Sequence, residues 1–189
     1  VTHPSPLSIR TRGPSMPTAV DTKFLIGATG VLCLKLYLTL LIQGGKRFAA
    51  GTRPPEDQIL KSLNPTKQRQ AFGVFDEAAE AKKSDDKPTS GLREKPSARA
   101  VEADIRWERI VRNDLENIPI GLLTAWAAVN SGGSVAVNAG AIAAFTVFRI
   151  LHTIAYVKQL QPHRGILWFG GVLSVFTLVG NSFYGLSKL

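Results

Sequence analysis

Four apolar segments dominate the chain and limit the folds that are open to it. The first runs from Phe24 to Ile42, 19 residues that contain a single charged residue, Lys35. As an α-helix, this segment is long enough to cross a hydrocarbon core of about 30 Å. We therefore predict an all-α integral membrane protein, a four-helix bundle that occupies residues 24–189. Its helices are expected at about residues 24–42, 102–129, 134–157 and 166–186.

The remaining stretches are polar. Residues 1–23 are expected to be an N-terminal extension that is processed or disordered. Gln43-Gly44-Gly45 predicts the end of the first helix. Residues 43–101 are then expected to form a polar loop, which starts as a basic turn at the membrane edge and a proline-stiffened segment. Its residues 58–100 are expected to be mobile, except that Ala71–Phe75 is apolar enough to dock on another part of the protein. Lys35, inside the first helix, either extends to the membrane surface or pairs with an acid on a neighbouring helix, and we assign it to no site.

The net charge of +9 and the isoelectric point near 10.0 fit two classes of partner, nucleic acids and anionic membranes. No basic run is interleaved with aromatic residues, as a stacking platform would require, so we expect no nucleic-acid partner. Anionic headgroups explain the charge better, with membrane lipids as the partner. The single cysteine, Cys33, lies in an apolar segment and predicts neither a disulfide framework nor a thiolate metal site, and no metal is expected.

A charged stretch, Arg106–Glu116, runs directly into the second apolar segment. Ionisable groups are costly where a helix meets a low-dielectric medium unless they pair or bind a polar ligand. A solvated helix end with intrahelical ion pairs is the alternative, and we expect it for Arg106, Glu108 and Asp114. The candidate site residues lie within roughly 100° on one helix face, and they are Arg109, Arg112, Asn113 and Glu116.

The third helix carries a second polar face. Arg149, His152 and Tyr156 share a sector of about 60° near the next loop. The loops after the first and third helices are basic, while the turn after the second has no charge, so the positive-inside rule places both basic loops on the cytosolic side. We therefore expect Arg47 and Arg164 beside both polar faces, at one membrane surface.

This predicted pocket holds arginines, a glutamate, an asparagine, a histidine and tyrosines, but neither a carboxylate pair nor a metal-ligand cluster. Arginine forks suit carboxylates, and Glu116 with Asn113 suits an ammonium or amide group, so glutathione satisfies the inventory. A positive charge beside a thiol lowers the thiol pKa and supplies a thiolate nucleophile for an apolar electrophile from the bilayer. A phosphate or an anionic lipid headgroup fits the arginines equally well but leaves Glu116 unexplained.

Four segments resemble the signature segments of the MAPEG family, the membrane-associated proteins in eicosanoid and glutathione metabolism. They are Arg53-Pro-Pro-Glu-Asp57, Arg-Asn-Asp-Leu-Glu-Asn at 112–117, Arg149-Ile-Leu-His-Thr-Ile-Ala-Tyr156 and Gln161-Pro-His-Arg164. The similarity is greatest to the branch of microsomal glutathione transferases and prostaglandin E synthases. Gly165 stands where the prostaglandin synthase carries serine, which favours the transferases, and Val111 stands where many relatives carry histidine.

The resemblance implies a homotrimer of four-helix protomers that binds glutathione between neighbouring subunits near the cytosolic face. It also implies that Arg164 is catalytic and stabilises the glutathione thiolate. The residues that it implies in glutathione binding are Arg47, Arg109, Arg112, Asn113, Glu116, His152 and Tyr156.

The expected function is that of a membrane-bound glutathione transferase of detoxification, which conjugates glutathione to a hydrophobic small-molecule or lipid substrate and also reduces lipid hydroperoxides as a peroxidase. We expect a microsomal location in the endoplasmic reticulum membrane, with a mitochondrial or other organelle membrane as the alternative. The alternative function is a catalytically silent, MAPEG-like structural or interaction subunit, with residues 58–104 as its docking element.

Overall fold

A computed structural model describes residues 18–75, 92–93 and 95–188. Within these residues the regular structure is helical, and the sole strand-like feature is an isolated bridge between Gln68 and Arg93. A short 3₁₀ helix spans Pro55–Ile59. The prediction of an all-α fold with four helices is confirmed. The helices are α1 (Ala19–Ala50), α2 (Ala98–Asn130), α3 (Val135–Val157) and α4 (His163–Leu186).

Three of the helices, α1, α3 and α4, are long and apolar enough to cross a membrane. Their exposed residues include large apolar side chains such as Leu41, Phe176 and Phe183, each at least 67% exposed, as expected of surfaces that contact lipid. In α2 the first half is charged and the apolar part starts only near Ile118. A position of that shorter apolar part inside the bilayer stays a prediction.

The first helix is longer than predicted at both ends. It begins at Ala19, so the last residues of the expected N-terminal extension are helical, while residues 1–17 lie outside the described residues. Gly44 and Gly45 lie inside α1 instead of ending it. Relative to alanine, each glycine destabilises the helix by about 1 kcal/mol. Burial of the Phe48 side chain (4% exposed), which follows them, stabilises the fold by about 1.5–3 kcal/mol, an energy comparable with the cost of the two glycines.

The glycine that ends α1 is Gly51, because its φ of 69° is a left-handed conformation that favours glycine. The Gly51 N–H donates to the Phe48 carbonyl at 3.3 Å, and the Thr52 N–H donates to the Arg47 carbonyl at 3.1 Å. These two bonds form a Schellman motif, which satisfies carbonyls at the end of the helix. The chain therefore leaves α1 in a fixed direction.

The described residues form two compact units. The first comprises 18–32, 118–151 and 165–188 and has a core of small side chains, among them Ala28, Ala125 and Ala128. Small residues allow helices to approach closely where lipid supplies no hydrophobic driving force. At Gly121 a Cβ atom would lie 2.1 Å from the Phe145 ring, so this aromatic side chain packs directly on the α2 backbone.

One end of the first unit is held by buried polar side chains. The Asn138 amide donates to the Ala128 carbonyl at 3.1 Å and to the Asp21 carboxylate at 3.3 Å. The Asn181 amide donates to Asn138 Oδ1 at 2.7 Å and to the Ser134 carbonyl at 2.9 Å. Since buried polar groups are costly unless they are hydrogen-bonded, this network specifies how these helix ends meet.

The second unit comprises residues 33–75, 92–93, 95–117 and 152–164. Residues 58–70 belong to the stretch that was expected to be mobile, but they are folded, and so are 51–57 and 71–75. The Gln70 amide is buried and donates to the Phe48 carbonyl at 2.9 Å, and the Ala71 and Gly73 N–H groups both donate to the Gly51 carbonyl. Residues 71–75 thus dock on the chain that leaves α1, while 76–91 and 94 lie outside the described residues.

Candidate functional site

All eight predicted site residues lie in the second unit. There, one face of α2, the last turn of α3, the first turn of α4 and the connection between α3 and α4 line a cleft of about 280 Å³. Three arginines and one glutamate leave its lining with a net charge of +2, so the cleft favours an anionic ligand. The lining residues are Glu102, Ile105, Arg106, Arg109, Tyr156, Gln159 and Arg164.

Arg164 is held over the ring of Tyr156. Its guanidinium carbon lies 4.4 Å from the ring centroid, which is a cation–π geometry. With the Gln161 amide oriented to satisfy its hydrogen bonds, the side-chain oxygen accepts from Arg164 Nε at 3.1 Å. Stacking and hydrogen bonding fix the plane of the guanidinium and leave its remaining N–H groups for a ligand.

His152 lies behind Tyr156, one helical turn earlier on α3. Its side chain is buried, and its ring meets the Tyr156 ring edge-on, with 5.8 Å between centroids and an interplanar angle of 77°. Aromatic pairs favour this T-shaped arrangement. In this structure His152 supports Tyr156 from behind and is not part of the cleft lining.

Arg109 and Arg106 differ in their pairing. Arg109 is exposed, and the described residues provide it with no ion-pair partner, so its charge is available to a ligand. Arg106 is ion-paired with Glu102, one turn earlier on α2. Arg106 thus forms the intrahelical ion pair that was predicted for it, but its side chain also lines the cleft. Its position three residues before Arg109 is the sequence signal for this role.

Arg47 lies outside the cleft lining. Its guanidinium donates to the Thr52 carbonyl at 3.3 Å, across the turn that ends α1. The Thr52 hydroxyl in turn donates to the Asp104 carboxylate on α2 at 2.8 Å. Arg47 is therefore tied through this turn to the helix that carries the arginines of the cleft.

Three predicted residues of α2, Arg112, Asn113 and Glu116, also lie outside the lining. Arg112 pairs with Glu108 at 2.8 Å, and both side chains are more than half exposed. Glu116 is exposed, seven residues beyond Arg109 and so about 10 Å along the helix. The structure thus brings together Arg109, Tyr156 and Arg164, with His152 adjoining, and leaves this second group further along α2.

The buried ion pair between Lys35 and Asp114 is the main feature that sequence reasoning did not resolve. Lys35 Nζ lies 2.6 Å from Asp114 Oδ2, and the two side chains are 12% and 1% exposed. Asp114 was expected to contribute only helix-end electrostatics, which is wrong. A lysine inside an apolar segment signals a buried acid nearby, but sequence alone does not say which of the available acids it is.

Within the part of the chain that the structure describes, no cluster of three or more histidine, cysteine, aspartate or glutamate residues is placed to hold a metal ion. The chemistry of the cleft therefore has to be derived from its arginines and its tyrosine. Their fixed geometry suits the recognition and charge stabilisation of a ligand with carboxylate or thiolate groups.

Apolar helices with exposed apolar surfaces define a helical membrane protein, and the cationic cleft is its candidate functional site. The model of the MAPEG family matches residues 25–184, and the chain belongs to this family. Comparison with curated proteins and with solved structures found no match. The membership in the family that the signature segments predicted is confirmed.

Proposed function

We propose that this MAPEG protein is a glutathione transferase of the endoplasmic reticulum membrane, from the branch of microsomal glutathione transferases. In the proposed reaction the glutathione thiolate attacks a hydrophobic electrophile, a sulfur–carbon bond forms, and the leaving group departs with the displaced electron pair. The observation that carries the proposal is the cleft that three arginines and Tyr156 line together, with Arg164 held over the Tyr156 ring.

Arg164 is the residue that we assign to thiolate stabilisation. A guanidinium next to a thiol favours the charged form and lowers the thiol pKa. Arg164 suits this role because Tyr156 and Gln161 hold it in place before a ligand arrives. Such preorganised donors need no rearrangement during the reaction, and the removal of one typically costs about 10²–10³ in turnover.

Arg109 and Arg106 are assigned to the carboxylates of glutathione, which planar guanidinium groups bind in bidentate fashion. Asn113 and Glu116 would receive its ammonium or amide groups, and Arg112 a carboxylate. The cleft of about 280 Å³ is at the small end of ligand pockets, which span about 300–1,000 Å³. We therefore propose a homotrimer in which residues from a neighbouring subunit complete the site.

Reduction of lipid hydroperoxides would use the same thiolate. The thiolate attacks the peroxide, the oxygen–oxygen bond breaks, and a lipid alcohol leaves together with a glutathione sulfenic acid, which a second glutathione converts to the disulfide and water. This proposal requires the hydroperoxide to arrive from the bilayer, and the membrane helices of the protein are compatible with that route.

The test is performed on the purified full chain in detergent. Addition of glutathione to the wild-type protein should produce the ultraviolet absorbance of a thiolate, and an aryl halide should be conjugated. Arg164→Ala should reduce conjugation by about 10²–10³-fold. Lys158→Ala removes a positive charge near the cleft without changing its lining and should retain turnover within a few-fold.

Three results would each overturn a part of the proposal. Glutathione binding with neither a thiolate signal nor conjugation would favour the catalytically silent subunit. A particle of monomer mass in sedimentation experiments that still binds glutathione at full affinity would remove the need for a trimer. Fractionation of the native protein away from endoplasmic reticulum markers would overturn the location alone.

A further inference from the structure

A second cleft, of about 410 Å³, lies in the folded segment that follows α1. It belongs entirely to the second unit and is separate in its lining from the cleft around Tyr156. Among the described residues, its charged lining consists of two lysines and includes no carboxylate. The lining residues are Gln58, Lys61, Asn64, Pro65, Lys67 and Leu92.

The polar groups of this cleft are arranged to donate hydrogen bonds. Among the described residues, neither Lys61 nor Lys67 has an ion-pair partner. Gln58 uses its side-chain oxygen to accept from the Gln70 N–H at 2.9 Å, so its NH₂ group remains available as a donor. Two ammonium groups and one amide NH₂ group make this a site for an anion.

The backbone around the lysines is fixed by hydrogen bonds. The buried Asn64 side chain accepts from the Gln68 N–H at 3.0 Å and donates to the Gln68 carbonyl at 2.7 Å. The Lys67 carbonyl accepts from the Arg93 N–H at 2.9 Å, and the Lys67 N–H donates to the Asn64 carbonyl. Lys67 has a φ of 53°, which these contacts maintain. The cleft is therefore a defined feature of the fold.

Large apolar side chains are exposed in the same segment. Ile59 is 80% exposed and Leu63 is 55% exposed, on either side of Lys61, and Leu60 is 37% exposed. Exposed apolar residues that alternate with lysines are typical of surfaces that lie in a membrane interface, where the apolar groups contact acyl chains and the lysines contact anionic headgroups. A soluble anion would require only the lysines.

The position of the segment in the chain agrees with an interfacial location. The apolar run of α1 ends at Ile42, and the helix continues to Ala50, about 12 Å further along its axis. The headgroup region adds roughly 5–7 Å to each side of the hydrocarbon core. The segment that starts at Gly51 therefore begins roughly 5–7 Å outside the headgroup region, a distance that about two extended residues span.

We propose that this cleft binds the phosphate-bearing headgroup of an anionic phospholipid. Lys61, Lys67 and Gln58 contact the phosphate, and Ile59 and Leu63 contact the upper acyl chains. The lysines attract the anionic headgroup, and the apolar side chains distinguish a lipid from free phosphate. This lipid site is independent of glutathione and of the transferase reaction.

The experiment measures lipid binding to the purified full chain by native mass spectrometry in a neutral detergent, with phosphatidylserine and phosphatidylcholine as probes. The test variant is Lys61→Gln/Lys67→Gln. The matched control is Lys46→Gln/Lys158→Gln, which removes the same charge outside the cleft. We expect the test variant to bind phosphatidylserine about 30-fold more weakly, as two lysines at an anionic surface require. The control should lose less than about threefold, and phosphatidylcholine binding should not change.

Competition by inorganic phosphate separates lipid from soluble ligand. If the lipid assignment is right, phosphate displaces phosphatidylserine only weakly, and Ile59→Ser/Leu63→Ser weakens the lipid without affecting phosphate. Equal losses in the test and control variants would show that only general charge is involved and would overturn the site. If inorganic phosphate displaces bound phosphatidylserine as effectively as unbound phosphatidylserine does, the lipid assignment is overturned. Both lysines are exposed, so thermal unfolding of the test variant should match wild type.

Discussion

Replacement of Lys35 by methionine leaves the carboxylate of Asp114 buried without its lysine. In the native protein Nζ and Oδ2 are 2.6 Å apart, and the side chains are 12% and 1% exposed. At such burial water cannot replace the lost partner. Removal of one member of a buried pair costs about 3–5 kcal/mol. This is a large share of a typical folding stability of about 5–15 kcal/mol.

The double variant Lys35→Met/Asp114→Leu separates the cost of removing the lysine charge alone from the net contribution of the pair. Apolar side chains of similar size remove both charges, and such replacements are near neutral or stabilising by about 1–4 kcal/mol. We therefore expect the double variant to recover most of the stability that Lys35→Met loses. The measurement is chemical unfolding in detergent micelles, followed by far-ultraviolet circular dichroism.

An exposed pair on the same helix provides the control. Glu108→Gln breaks the contact with Arg112, where both side chains are more than half exposed, and should cost less than about 0.5 kcal/mol. The reasoning is refuted if Lys35→Met costs no more than Glu108→Gln. It is also refuted if the double variant is as unstable as Lys35→Met, because the loss would then come from packing and not from the removal of the lysine charge.

Two further predictions concern the first unit. Asn138→Leu removes the amide that donates to Asp21 and should lower the free energy of unfolding by about 2–4 kcal/mol in the same assay. A loss below about 1 kcal/mol would contradict a structural role for the polar network. Gly121→Ala places a Cβ against the Phe145 ring and should lower the free energy of unfolding by about 1–3 kcal/mol. Gly140→Ala is the control, because Gly140 has open space around it, and this substitution should cause no loss of stability. Equal effects of the two substitutions would contradict the packing of Phe145 on Gly121.

Local sequence signals predicted the four helices but not the end of α1. The apolar segments predicted four helices because length and hydropathy are properties of consecutive residues, and these helices are present. The end of α1 was predicted at the wrong glycines. Gly44 and Gly45 carry the same turn signal as Gly51, but only Gly51 adopts a positive φ, and the burial of Phe48 between them keeps the helix intact.

The candidate site was predictable as a set of residue types on helix faces. Helical spacing placed Arg109 on a polar face of α2 and Tyr156 on a polar face of α3, and both line the cleft. Arg106 lies three residues before Arg109 and so on the same face of α2, but its place in the lining, like that of Gln159, also depends on how the α3–α4 connection turns toward α2. The same holds for His152, whose ring supports Tyr156 from behind.

By itself the sequence determined that this is a helical membrane protein of the MAPEG family with a charged stretch at the start of its second apolar segment. Hydropathy, helical periodicity and short motifs are local, and they can be read along the chain. Only the tertiary structure decided that Lys35 pairs with Asp114, 79 residues away. It also decided that residues 51–75 fold, since long-range pairing depends on the geometry of helices that no local pattern encodes.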